Sequence, residues 1–351
     1  MAQIEILGRG TVDGRDSAFP QAVQLRNGDI LCSYGNAGGA SVTGGTDWAR
    51  STDGGQTWQV EGTLLPVETD PPSQNFLKVS LDRDGRTIYA YGQRTLGRVD
   101  QEFGHRPSEA IFTTSTDDGH TWSKPRPIPM PSNLLEISHG ILPLRSGRLL
   151  APTATIEPGK LGERIVVAIS DDGGATWPRH ATVMQDPDGR LGYFEQKIAE
   201  TPDGRIVASA WTVTIDDVAD RPNSYSISSD DGLSWTAPRF IGTRGQTISV
   251  VPLGGDRAML LYNRRYGQQG IVMALATMTD HDWPIAFEGL MFDPGTRRDG
   301  RVRSTGVDEM VDFAFGFPTA TRLADGTFLA THWSWEDGVS GIRWVKLRVD
   351  W

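Results

Sequence analysis

Cysteine is almost missing from this chain: of 351 residues only Cys32 carries a thiol, which excludes an internal disulfide and any cysteine-built metal site. Its setting, Ile30-Leu31-Cys32-Ser33-Tyr34, reads as a buried core thiol rather than a nucleophile. No apolar run approaches the roughly 20 residues of a membrane helix. Positive charge is in the minority, 34 Lys and Arg against 44 Asp and Glu, for a formal net charge of −10. That balance argues against nucleic acid or an anionic membrane surface as a partner. The six histidines include no pair at metal-ligand spacing, so neither a metal nor another cofactor is expected. The opening residues Met1-Ala2-Gln3-Ile4-Glu5-Ile6-Leu7 have neither a basic head nor an apolar signal core. This predicts a cytoplasmic protein, or a secreted or periplasmic one whose leader was removed.

A helical period is absent too, and the apolar runs are short, with strand-like spacing. What the chain has in abundance is turns, with 41 Gly and 21 Pro, and one repeated stretch. The pattern S-x-D-x-G-x-x-W occurs at Ser51 to Trp58, Ser115 to Trp122, Ser170 to Trp177 and Ser228 to Trp235, the aspartates following one another at 64, 55 and 58 residues. Its chemistry suits a tight hairpin, because the Asp carboxylate can accept backbone N–H groups across the turn and Gly can take positive φ. The Trp is then set to pack.

Around each copy the chain reads as strand A, a Gly turn, strand B, a longer loop, strand C, and the repeat turn into strand D. A fifth unit ends in the degenerate Thr279-Asp280-His281-Asp282-Trp283, and a sixth, from Phe317 to Val349, has no such turn. The six units predict one all-β domain over residues 1–351, with Ile4 to Leu7 completing the last unit and closing the ring. The polar stretch Asp293 to Val311 reads as a connection lying over one face.

The four turns resemble the Asp-boxes of the sialidase superfamily. That resemblance implies a six-bladed β-propeller with four-stranded antiparallel blades, and a glycan-active enzyme. The reaction implied is exo-acting glycoside hydrolysis of a sialic acid or related acidic sugar.

Strand order then selects a face. In antiparallel blades the start of A, the end of B and the start of C lie together, and the repeat turns lie on the other side. The first face collects Asp16, Asp47, Arg94, Glu136, His139, Glu195, Trp211, Arg244, Gln246, Arg264, Arg265, Phe317, His332, Trp333 and Trp335. Carboxylates, arginines and aromatic rings at one mouth suit a carbohydrate pocket. Glu195 resembles the glutamate that activates the sialidase tyrosine. Asp47, four residues before Ser51 rather than the usual six or so, is the candidate acid, and His139 an auxiliary proton carrier.

The chain also departs from the superfamily pattern. The first of the three carboxylate-binding arginines should stand two residues before Pro20, where Ala18 is found; the second falls on Trp211, and Arg244 is the candidate for the third. Where the nucleophilic tyrosine should open the last blade, the chain reads Phe315-Gly316-Phe317-Pro318. Arg15, Arg94, Arg264 and Arg265 are available either to rebuild an anion clamp or to serve as ordinary surface arginines. Without the tyrosine, hydrolysis would rest on direct water attack between Glu195 and Asp47. Three readings stand beside this one: a neutral-sugar glycosidase, a uronate lyase using His139 with Tyr262 or Tyr266, and a non-catalytic glycan-binding propeller.

Overall fold

The computed structural model describes residues 2–39, 42–97, 106–158, 160–295, 314–336 and 338–351. All regular structure among them is β-strand, arranged as six antiparallel sheets that form the blades of a propeller. Blade one is Ala18–Gln24, Ile30–Gly35, Thr46–Ser51 and Gln59–Leu65, from the axis outward. Blades four and five repeat this plan, starting at Leu191–Glu200 and Gln246–Gly254. Blade two adds a short fifth strand, Glu68–Thr69, beside its inner strand Pro72–Leu81. In blade six the inner strand is Phe315–Arg322 and the outermost is the N-terminal strand Gln3–Asp13, paired antiparallel with Val339–Asp350. The connection expected over Asp293 to Val311 lies, from residue 296 on, outside the described residues.

The repeat turns form as their chemistry requires. In the first, Ser51 Oγ donates to Asp53 Oδ1 at 2.8 Å and accepts from Gly55 N–H at 2.9 Å, while Asp53 accepts from Thr57 N–H at 2.9 Å and from its hydroxyl at 2.6 Å. The same bonds recur at Asp117, Asp172 and Asp230. The turn glycines also fix how blades meet. A Cβ on Gly119 would stand 2.8 Å from Leu31 of blade one, and one on Gly232 would stand 2.7 Å from Leu150 of blade three. Each turn is therefore seated on strand B of the preceding blade, where only glycine leaves room.

Between blades, apolar side chains of the middle strands interdigitate; Ile30, Leu31, Cys32, Leu150, Leu260 and Leu329 are fully enclosed. Burial pushes the Cys32 thiol far above its usual range, so it stays protonated and inert. Near the axis, hydroxyls tie each blade to the inner strand of the next: Ser209 Oγ, on the second strand of blade four, donates to Ile248 O at 3.1 Å, Ser249 Oγ to Pro318 O at 2.7 Å, and Thr319 Oγ1 to Pro20 O at 3.2 Å. The last of these closes the ring between blades six and one.

Four inner strands carry a β-bulge at the same end. Pairing skips between Ala18 and Gln21, Phe194 and Lys197, Gln246 and Ile248, and Gly316 and Thr319. At each skip a non-glycine residue is left-handed: Phe19 at φ 59°, Glu195 at 48°, Thr247 at 49° and Phe317 at 54°. A bulge re-aims the side chain it carries, and such backbone costs on the order of 1–2 kcal/mol per residue. Four such bulges at one mouth mark where the fold spends stability on geometry.

Candidate active site

All four bulge residues line a single pocket at that mouth. Phe19, Glu195, Thr247 and Phe317 are joined there by Trp211, Gln246, Asn263, Arg265, Gly316 and Trp333 around about 330 Å³ of empty space, its open mouth included. Aromatic rings form much of the wall: Phe19 meets Phe317 edge-on at 5.2 Å and Trp333 at 6.4 Å. Such rings stack on the C–H faces of sugars. The polar side-chain groups are one carboxyl, one guanidinium, two amides, a hydroxyl and two indole N–H groups.

Glu195 is the carboxyl. It is buried, at 8% exposure, and burial followed by the nearby charge of Glu136 pushes it up to about 7. It therefore exchanges its proton near neutrality, as a general acid or base must. Its backbone N–H donates to Glu136 Oε2 at 3.3 Å. Arg265 donates from Nε to Gln246 Oε1 at 2.7 Å, and from Nη2 to Phe315 O. Trp211 donates from its indole to Asp220 Oδ1 at 2.6 Å; burial raises Asp220.

Behind the pocket lies a buried group of charges. In blade three the inner strand is broken: Leu135–Glu136 and Leu142–Pro143 pair with strand B, and the residues between them do not. The carbonyls of Ile137 and Ser138 accept instead from the ammonium groups of Lys78 and Lys197. Lys197 Nζ also lies 3.3 Å from the centroid of the Phe317 ring, and Lys78 Nζ lies 3.6 Å from that of Phe76. Burial lowers both lysines, Lys197 to about 7, and raises Glu136.

Of the residues singled out in the sequence, Glu195, Trp211, Gln246, Arg265, Phe317 and Trp333 come together in this pocket. Asp47 is not among the lining residues. It is buried at the start of blade one's third strand, where it accepts from Arg15 Nη2 at 2.8 Å, Thr63 Oγ1 at 2.8 Å and the Asn36 amide. His139 lines a different cavity, in the axial channel, with Gln21, Lys197, Ser249, Thr319 and Thr321. Enclosure and the charge of Lys197 lower it to about 3, so its ring is neutral at neutral pH, with Nδ1 2.9 Å from Gly140 O.

The remaining candidates have structural partners. Asp16 is exposed and accepts from Gly38 N–H at 3.0 Å. Arg94 pairs with Glu68 and Glu109, Arg264 pairs with Glu288, and Arg244 stacks on Tyr266 at 4.8 Å. Tyr262 donates to Glu288 at 3.2 Å and Tyr266 to Arg244 O, and neither tyrosine is among the residues that line the axial cavity with His139. Ala18 is fully buried. Sequence reasoning missed Phe19, Thr247, Asn263, Asp220, Lys78 and Lys197; the one available signal was a lysine inside each apolar inner strand, in Phe76-Leu77-Lys78 and Lys197-Ile198-Ala199.

Residues 48–328 match the family model described as a BNR repeat-like domain. A sialidase of Micromonospora viridifaciens is 27% identical over 380 aligned positions, which cover 97% of this chain and 53% of that protein. The chain thus spans about half the length of that curated relative. Among solved structures, a protein of unknown function from Dyadobacter fermentans superposes with a TM-score of 0.75 at 20% identity over 99% of both chains. The intramolecular trans-sialidase of Ruminococcus gnavus does so at 0.68 and 13% identity, over 99% of this chain and 96% of its own. At those identities the structures speak for the fold alone. With most of its length matched by the repeat model and six blades closed into a ring, the chain belongs to the BNR repeat-like family of the sialidase superfamily.

Proposed function

We propose that this protein is a glycoside hydrolase that takes a terminal sugar into the aromatic pocket and uses Glu195 as its proton-transferring group. The observation that carries this reading is the placement of Glu195: a buried carboxyl on a left-handed bulge, poised near neutrality, inside a pocket walled by Phe19, Trp211, Phe317 and Trp333. Glu195 gives its proton to the glycosidic oxygen as the bond from that oxygen to the anomeric carbon breaks. The resulting carboxylate then accepts a proton from the water that adds to the anomeric carbon. No tyrosine is among the lining residues, so the scheme uses no tyrosyl intermediate.

The sugar proposed is acidic, a sialic acid or a relative of one. The Micromonospora protein is named a sialidase, and Arg265 supplies a guanidinium within the pocket, suited to a carboxylate. A neutral sugar is the second reading, favoured by Trp211 and the surrounding rings. Product analysis with sialosides, other ulosonic acid glycosides, uronides and neutral glycosides decides between them, using wild type beside Glu195→Gln. The expected result is release of an acidic sugar by wild type and a loss of at least 100-fold in the variant. Release from neutral glycosides only would change the substrate class. Binding without turnover of any glycoside would overturn the hydrolase reading.

A further inference from the structure

We propose that Glu136, together with the ammonium groups of Lys78 and Lys197, is a positioning group that holds the Glu195 backbone in its bulge and sets whether the Glu195 carboxyl carries a proton. The inference deepens the reading of Glu195 as the proton-transferring group and rests on it.

The geometry that carries it begins with Glu136. This side chain is itself buried, at 5% exposure, and its carboxylate is oriented from several sides. Ser138 Oγ donates to it, and Glu195 N–H donates to Oε2 at 3.3 Å. Gln196, with its amide turned to satisfy its neighbours, donates to the same oxygen at 3.1 Å. Both residues of the bulge, Glu195 and Gln196, are therefore tied to one carboxylate in the adjoining blade. A left-handed glutamate has no reason to persist unless something holds it, and Glu136 is what holds it.

The charges complete the arrangement. Two carboxylates and two ammonium groups balance formally within a region almost closed to water. Lys78 and Lys197 do not bond directly to the carboxylates; they rest on the carbonyls of Ile137 and Ser138 and on aromatic faces. The charged groups that act on Glu195 come from its own strand, Lys197; from blade two, Lys78; from blade three, Glu136; and from blade five, Arg265. Blades one and six present the uncharged rings of Phe19 and Phe317. In such surroundings a nearby charge is felt strongly. Glu136 favours the protonated form of Glu195, whereas Lys197, Arg265 and Lys78 favour the carboxylate.

The test is a direct titration of Glu195 by carbon-13 NMR on protein labelled at the glutamate carboxyl, with Glu195→Gln to assign the resonance. It is run on wild type, Glu136→Gln and Lys197→Gln, with kcat/KM measured across pH on the same samples. Glu136→Gln is expected to lower the Glu195 midpoint by about one pH unit and Lys197→Gln to raise it by a similar amount. The corresponding limb of kcat/KM moves with it. Should Glu136→Gln fail to fold, Lys197→Gln carries the test alone. A midpoint unchanged from wild type in the folded variants overturns the proposal. Midpoints that move as expected while activity is absent, or while its limb stays fixed, leave the Glu136 arrangement standing and remove the catalytic reading of Glu195.

Discussion

The indole N–H of Trp211 donates to Asp220 Oδ1 at 2.6 Å, so one wall of the pocket is held by a carboxylate from the loop between the second and third strands of its own blade. Phe194 steadies the same indole from its edge, ring centroids 5.8 Å apart. Asp220→Ala removes the acceptor and leaves the Trp211 ring less constrained. A hydrogen bond to a charged group contributes about 1.5–3 kcal/mol, so we expect KM to rise roughly tenfold or more, with kcat changed less. Asp220→Asn keeps an acceptor and should recover most of the loss. Steady-state kinetics on the two variants checks this; equal KM values in both and in wild type would remove Asp220 from the site.

Glu195 gives a stability prediction with a definite sign. Its carboxyl, ordinarily at 4.5, titrates at about 7 in the folded protein. Between those values the folded state keeps a proton that the unfolded chain has released, so stability falls as pH rises from about 4.5 to about 7 and stays lower above it. Glu195→Gln removes this titration. We expect the variant to melt at least about 3 °C above wild type at pH 8 and within about 1 °C of it at pH 4. Calorimetry at the two pH values checks it; the same difference at both would mean that Glu195 ionises as an ordinary exposed carboxylate.

The turn at Gly232 should tolerate no side chain. Its φ is 82°, and a Cβ would meet Leu150 at 2.7 Å. Left-handed strain and overpacking act together, so Gly232→Ala is expected to destabilise by about 2–4 kcal/mol. Denaturant titration measures the loss. KM of the folded fraction should stay unchanged, because the turn lies on the face opposite the pocket.

Asp47 separates a structural from a catalytic role. Its acceptors are occupied by Arg15, Asn36 and Thr63, and it does not line the pocket. Asp47→Asn should lower stability by about 1–3 kcal/mol while kcat stays within roughly threefold of wild type. A fall in kcat comparable to that of Glu195→Gln would instead make Asp47 the acid that its distance from Ser51 suggests.

Much of the architecture was legible because its determinants are local. Ser51, Asp53, Gly55 and Trp58 lie within eight residues, and hydrogen bonds inside that span dictate the turn wherever it recurs. Four copies and two weaker units count the blades, and antiparallel order assigns each strand end to a face. That reasoning brings Glu195, Trp211, Gln246, Arg265, Phe317 and Trp333 to one mouth, since it needs only the direction of each strand.

The site itself was decided by tertiary structure. A one-residue change of register turns a side chain to the other face of a sheet, and nothing local marks Phe19, Glu195, Thr247 and Phe317 as left-handed bulge residues. Glu195 and Gln196 keep their geometry through Glu136, 59 residues from Glu195. Lys78 and Lys197 are buried because a broken strand in another blade presents the carbonyls of Ile137 and Ser138 to them. By itself the sequence determined the turns, the strands and their number, because each follows from neighbours along the chain. Which carboxyl holds a proton near neutrality was decided only when the ring closed, because that depends on charges brought from four blades into a space almost without water.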